Sequence, residues 1–272
     1  MVVGTGPTGA IAALQLVEAG LDVTVLEAGA EHLAAGLTAR IAGMTVLKKR
    51  RPFSTRTEGI VATGDPRAVL YEDIAPGGLT NHWSCAVPRF SPDDFLDARL
   101  AGEAFSWPVD YDELVPWYDR VEPLLCIAGA ADDVPHLNAG RVARVVSLDE
   151  SWDPFIEAAR ADGMGDAPIP YVYGSRTTVT LSGTVFNSFV RLLKPAADSK
   201  RLTIRCNACV TRLEWSGQTR RVTAVIFRDA QTGADHRVPC GAVILAAGAI
   251  NSTKVLLQST SADFPAGLGN TE

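Results

Sequence analysis

The apolar positions of this chain predict its elements in order. Met1-Val2-Val3 closes a short apolar strand, Ala10 to Ala19 is an alanine-rich helix stopped at Gly20, and Leu21 to Leu26 is a second apolar run ending in Glu27-Ala28-Gly29. Leu114, Trp117, Tyr118, Val121, Leu124 and Leu125 form a helical stripe within Glu113 to Cys126, with Asp110 or Asp112 as the expected cap. Asp149 to Asp162 predicts a second amphipathic helix and Phe186 to Leu193 a third. Between them, Tyr171 to Arg176 and Thr177 to Leu181 alternate as extended chain. Leu202 to Leu213 predicts one strand, paired with Val222 to Arg228 across Ser216-Gly217. Ala230 to Gly233 is then a turn, and Gly241 to Ala247 predicts a buried parallel strand. Asn251 is expected to cap a helix over Ser252 to Gln258.

The first strand and helix flank Gly4-Thr5-Gly6-Pro7-Thr8-Gly9, a G-x-G-x-x-G turn in a βαβ unit. Glycines there permit a tight turn, the helix N-terminus meets a pyrophosphate, and an acid after the second strand, here Glu27, accepts from ribose hydroxyls. An acid at that position also disfavours a ribose 2′-phosphate and so argues against NADP. The plain alternative is a glycine-rich turn that holds nothing. A second segment, Gly77-Gly78-Leu79-Thr80-Asn81-His82-Trp83-Ser84-Cys85-Ala86-Val87-Pro88-Arg89-Phe90, narrows the ligand. Paired glycines let backbone approach a flat ring, and His82, Trp83 and Ser84 offer it a nucleophile, a wall and a hydroxyl. The ligand inferred is a flavin.

These two segments, Trp107 to Tyr111, Pro116 to Asp119 and Val243 to Leu257 together resemble the glucose-methanol-choline oxidoreductases, in order and over nearly the whole chain. The Thr80 to Cys85 stretch is most similar to the pyranose 2-oxidase branch and its bacterial relatives that oxidise glycosides. The resemblance implies an α/β, Rossmann-like FAD-binding domain, discontinuous over residues 1–90 and 198–272. Residues 91–197 would be an inserted helical region and part of an α+β substrate domain. Expected cofactor contacts are Gly4, Gly6, Pro7, Gly9, Glu27 and Ala28, then Gly77, Gly78, Asn81, His82, Trp83 and Ser84. Val210, Ala247 and Gly248 join them by resemblance alone.

The activity implied is oxidation of a sugar or glycoside hydroxyl, with hydride passing to flavin N5 and electrons then to oxygen or another acceptor. The family's catalytic histidine and its histidine or asparagine partner would lie beyond residue 272, so no catalytic base is named. Family members are much longer, and the chain is expected to be an N-terminal half, inactive by itself. In pyranose 2-oxidases the histidine matching His82 is joined covalently to the flavin methyl carbon. Here Asn81 and Ser84 each replace a threonine. Three readings of His82 stand: a covalent link, a contact without a bond, and a structural role. A non-catalytic flavin-binding fragment and an NAD-dependent dehydrogenase are the competing functions.

A net charge of −6 and a pI near 5.3 give no electrostatic footprint for nucleic acid or an anionic membrane. Lys48-Lys49-Arg50-Arg51 is short and is expected to be a solvated loop. No run approaches the roughly 20 apolar residues of a membrane span, and no signal peptide is recognised. Five cysteines, an odd number, suit a reducing cytoplasm. Cys206 and Cys209 have the spacing of half a metal site, but in one strand they would face opposite sides, so packing is expected of them and of Cys126 and Cys240, and no metal. Trp117 and Tyr118 are expected to pack, and His32, His136 and His236 to be surface or structural. Self-association is left open.

Overall fold

The computed structural model describes residues 1–30, 72–81, 83–96, 102, 107–130, 140–164, 168–172 and 186–270. In chain order these form β1 (Val2–Val3), α1 (Pro7–Glu18), β2 (Val23–Leu26), α2 (Tyr111–Leu125), β3 (Ile127–Gly129), β4 (Arg144–Val145), α3 (Asp153–Ala161) and β5 (Tyr171–Val172). They continue with β6 (Leu202–Arg205), β7 (Ala208–Ser216), β8 (Arg221–Asp229), β9 (Asp235–Pro239), β10 (Ile244–Leu245) and α4 (Gly248–Gln258). The backbone divides into two compact units, Met1–His82 with Val179–Glu272, and Trp83–Thr178.

The first unit is built on a parallel sheet in the order β10-β1-β2-β6. Its central strands are apolar on both faces: Val2, Val3, Val23, Val25 and Leu26 are all buried, as a parallel sheet covered on both sides requires. A three-stranded antiparallel sheet, β7-β8-β9, stands beside it. Leu26, Leu213, Val225, Phe227 and Val255 close one apolar cluster that joins β2, β7, β8 and α4. Each large apolar side chain so buried contributes about 1.5–3 kcal/mol.

The structure departs from the hydropathy pattern at two places. Leu202 to Leu213 is not one strand: the chain leaves the parallel sheet after Arg205 and enters the antiparallel sheet at Ala208, turning through Asn207 at φ +59°. Asparagine tolerates that left-handed conformation, so hydropathy continues where hydrogen bonding does not. The edge strand β9 goes unpredicted because Asp235-His236-Arg237-Val238-Pro239 carries charges and a proline, the composition that guards a sheet edge. The split also separates Cys206, half-buried between strands, from Cys209, which is exposed on β7.

The return to the first unit lies earlier than residue 198. Phe186, Phe189, Leu192 and Leu193 are buried around the π-helical turn Phe189–Leu193, which packs against α1. The expected helix over Phe186 to Leu193 therefore exists, but begins later and runs on through Lys194–Ala196.

In the second unit, Asp110 caps α2 by accepting from Glu113 N at 3.0 Å. α2 ends at Cys126, half-buried and left-handed at φ +52° rather than a core residue. Asp149 caps a 3-10 turn over Glu150–Trp152 that leads into α3. Trp117 is 60% exposed, against the packing expected of it, whereas Tyr118 lies under the Arg89 guanidinium, 5.1 Å from its ring centre. Arg89 is 7% exposed, reaches Glu122 with Nε and Nη2 at 2.6 Å each, and donates from Nη2 to Asp119 at 2.7 Å. Arg141 holds the second Asp119 oxygen at 2.7 Å, and its N–H donates to Glu122. Strands β4, β3 and β5 complete the unit. Residues 173–181, Lys48 to Arg51, His32 and His136 lie outside the described residues.

Candidate cofactor-binding site

The three glycines of the first turn do three different things. Gly4 has φ +99°, and a β-carbon there would stand 2.4 Å from the Ala246 carbonyl oxygen, so glycine is needed to lay β1 against the chain leaving β10. A β-carbon on Gly9 would meet the Gly4 oxygen at 2.2 Å, so glycine there lets α1 seat against its own strand. Gly6 differs. Its φ is −60° and ψ 177°, which suits any residue before a proline, and a β-carbon would meet nothing within 4 Å. The requirement at Gly6 is therefore not imposed by the fold: it faces open space at the N-terminus of α1. Pro7 occupies the first turn and no side chain caps the helix, leaving the N–H groups of Thr8 and Gly9 beyond the reach of any helical carbonyl. Such an end attracts anionic oxygens.

Glu27 ends β2 and is 6% exposed. Its Oε2 accepts from Thr5 N at 3.1 Å and from the Thr5 hydroxyl at 2.5 Å, and Oε1 accepts from Gly29 N at 2.8 Å. A carboxylate offers about four lone-pair sites, so three protein donors leave room for one more on Oε1. Ala28, half-buried, follows. The carboxylate is thus both a strut for the glycine turn and an acceptor with one remaining direction.

The second glycine segment closes against the first. Gly77 N donates to the Thr5 hydroxyl at 2.9 Å, and Gly77 and Gly78 both have positive φ, +94° and +53°. A β-carbon on Gly78 would lie 3.9 Å from Gly6 Cα, so the two glycine backbones face each other with no side chain between. Asn81 is engaged within the protein: its Nδ2 donates to Asp73 Oδ2 at 2.9 Å, and its Oδ1 accepts from Asn187 Nδ2 at 2.6 Å. His82 lies outside the described residues. Trp83, half-buried, and Ser84, exposed, begin the second unit.

Ala247 is brought to the glycine turn, its Cα 3.2 Å from the place of a Gly4 β-carbon. The helix expected from Ser252 begins earlier, at Gly248, whose φ is +79° and whose missing side chain faces open space. Asn251 is consequently inside the helix rather than capping it, and its amide donates to Glu72 Oε1. Val210 pairs with Phe227 in the β7–β8 ladder and packs on the apolar cluster. His236 stacks on Phe227 at 5.0 Å between ring centres, a structural position.

Sequence reasoning missed Thr5, Asn187 and Ser188, which hold the two glycine segments together. Thr5 was visible as the one polar residue between the first two glycines. Nothing along the chain tied Asn187 and Ser188 to a turn more than a hundred residues earlier.

This set of features fits a flavin dinucleotide: an uncapped helix end for a pyrophosphate, a buried acid with one acceptor direction free, and two glycine backbones a flat group can approach. The model of the FAD binding domain family matches residues 1–270, and the chain belongs to that family. FAD is its cofactor. The 2-methyl-1,2-propanediol dehydrogenase of Mycolicibacterium austroafricanum is 26% identical over 99% of this chain and 52% of its own length. The 6'''-hydroxyparomomycin C oxidase of Streptomyces lividus is 27% identical over 99% of this chain and 51% of its own. Among solved structures, pyridoxine 4-oxidase from Mesorbium loti superposes with a TM-score of 0.61 at 21% identity, over 95% of this chain and 51% of that one, a likeness of fold. Relatives of this kind support the resemblance to glucose-methanol-choline oxidoreductases. The chain spans about half the length of the curated relatives it matches. Among the described residues, no helix is long and apolar enough to cross a membrane.

Proposed function

We propose that this chain is the FAD-binding half of an oxidoreductase that oxidises an alcohol carbon of a sugar or glycoside, in the pyranose 2-oxidase-like branch. The observation that carries the reading is Gly6, a glycine that the fold does not require but a pyrophosphate does. When bound, FAD supplies the hydride acceptor for alcohol oxidation. The chain's own residues bind and orient it. The end of α1 meets the pyrophosphate, Glu27 accepts from a ribose hydroxyl through Oε1, and the Gly77-Gly78 backbone leaves room for a flat ring. Val210 contacts the adenine side, the small residues Ala247 and Gly248 let backbone lie close to the cofactor, and His82, Trp83 and Ser84 approach the flavin, with His82 at its methyl edge. The FAD-binding domain is discontinuous, and its second part resumes ahead of Asn187. By their names the relatives act on 2-methyl-1,2-propanediol and on 6'''-hydroxyparomomycin C, which supports a hydroxyl-bearing substrate of the polyol or sugar kind here.

The test is anaerobic reduction. Added sugar or glycoside should bleach the visible flavin band of the full-length protein, whereas residues 1–272 supplied with FAD should not turn over, because a base and a substrate wall must both be in reach of the alcohol. Steady turnover by residues 1–272 alone would place the active site elsewhere.

A further inference from the structure

Asn187 and Ser188 stand directly ahead of the π-helical turn and are 1% and 0% exposed. Consecutive polar side chains this deeply buried cost stability unless every bond is made. Most of theirs are made to the two glycine segments. Ser188 Oγ donates to the Thr5 carbonyl at 2.7 Å and lies 3.5 Å from the Gly77 carbonyl. Ser188 N donates to the Thr80 hydroxyl, which itself donates to the Gly77 carbonyl at 2.6 Å. Asn187 Nδ2 donates to Asn81 Oδ1 and, at 3.2 Å, to the Pro76 carbonyl, while its Oδ1 accepts from Val190 N at 2.9 Å. The place of a Gly77 β-carbon is 2.2 Å from Asn187 Nδ2, so asparagine at 187 leaves room only for glycine at 77.

The atoms bonded matter more than their number. A peptide unit is planar and trans, so its carbonyl and its N–H point in opposite directions. The Thr5 carbonyl shares its peptide with the Gly6 N–H, and the Pro76 carbonyl shares its peptide with the Gly77 N–H. By pinning the first, Ser188 turns the Gly6 N–H away from itself. By pinning the second, Asn187 keeps the Gly77 N–H aimed at the Thr5 hydroxyl, where it donates at 2.9 Å.

We propose that Asn187 and Ser188 are positioning residues for FAD, locking the Thr5–Gly6 peptide and the Pro76–Gly77 peptide into the orientation the dinucleotide needs without touching it. The inference rests on the FAD-binding reading of the glycine turn. Preorganised donors bind more tightly than donors that must be ordered by the ligand.

The experiment is an FAD titration of the full-length apoprotein and of its Ser188→Ala and Asn187→Ala variants, followed by flavin fluorescence quenching and by the melting shift that FAD adds. Each variant is expected to bind FAD about tenfold more weakly, and the melting increment should shrink by the amount that affinity loss dictates. The visible bands of the bound flavin should also move, which a lost strut in the apoprotein would not cause. Variants that melt lower as apoprotein but keep the parent's affinity and spectrum overturn the proposal. So do variants that stay unfolded even with FAD present, since they mark the pair as structural only. Failure of the parent itself to take up FAD would instead remove the reading on which the inference rests.

Discussion

The Thr5 hydroxyl donates to Glu27 Oε2 at 2.5 Å while accepting from Gly77 N at 2.9 Å, so one buried side chain couples the acid after β2 to the second glycine segment. Thr5 itself is fully buried. Glycine turns supply backbone freedom, and something else must remove it once the turn is made. Here that constraint comes from Thr5 on one side and Ser188, bonded to the Thr5 carbonyl, on the other.

Thr5→Val keeps the shape and deletes the hydroxyl. Gly77 N then loses its acceptor and Glu27 one of its donors, both in buried surroundings, where a lost partner costs about 1–3 kcal/mol. Denaturant unfolding of the apoprotein should show a loss in that range, with weaker FAD binding besides. Parent-like stability and affinity would mean the bond is unimportant.

Gly9→Ala should destabilise the apoprotein and Gly6→Val should leave it nearly unchanged. Alanine is worth about 1 kcal/mol over glycine in a helix. At Gly9 that gain is overridden, because the new β-carbon meets a backbone oxygen at 2.2 Å and neither backbone can yield cheaply. A net loss of about 1–3 kcal/mol follows. At Gly6 nothing lies within 4 Å, and the change should stay within about 0.5 kcal/mol. Melting of the two apoproteins checks the contrast.

In the second unit, Arg141 first and Arg89 next hold the Asp119 carboxyl well below the usual range, at about 2. A folded value below the unfolded one, about 3.9, means that this contribution is fully present above pH ~4 and lost as pH falls towards 2. Asp119→Asn should flatten that part of the acid-stability curve, measured as melting temperature against pH. Arg89→Met is the harsher change, since it leaves Glu122 buried without its bidentate partner, at about 3–5 kcal/mol.

For His82, acid precipitation of the full-length protein separates the remaining readings. A covalent flavin stays in the pellet and a contacting one is released. His82→Ala should weaken FAD binding or shift the flavin potential in both cases, and an unchanged spectrum, affinity and rate would leave a structural histidine.

The βαβ order was legible because it is local: a strand, a turn and a helix follow one another within twenty residues, whereas the close approach of Gly4 to the Ala246 carbonyl was not, since it joins distant parts of the chain. Asp110 was legible as a cap for the same reason. The break between β6 and β7 was not, because Leu202 to Leu213 keeps its hydropathy while its bonding partners change sheets through Asn207. Asn251 misled, since a residue type suited to capping is also suited to bonding a distant acid, and Glu72 took it. Asn187 and Ser188 were hidden most completely: a short polar pair at the head of an apolar helix has no signature until folding sets it behind Gly77.

The most direct test of the account is the flavin-to-protein ratio of purified Gly6→Val protein beside the parent, read from visible and ultraviolet absorbance. The parent is predicted to carry, or to take up, one FAD per chain, and the variant to fold but stay colourless, because valine takes the open space at the N-terminus of α1. A variant that keeps the parent's full ratio, or a parent that takes up NAD but not added FAD, would contradict it.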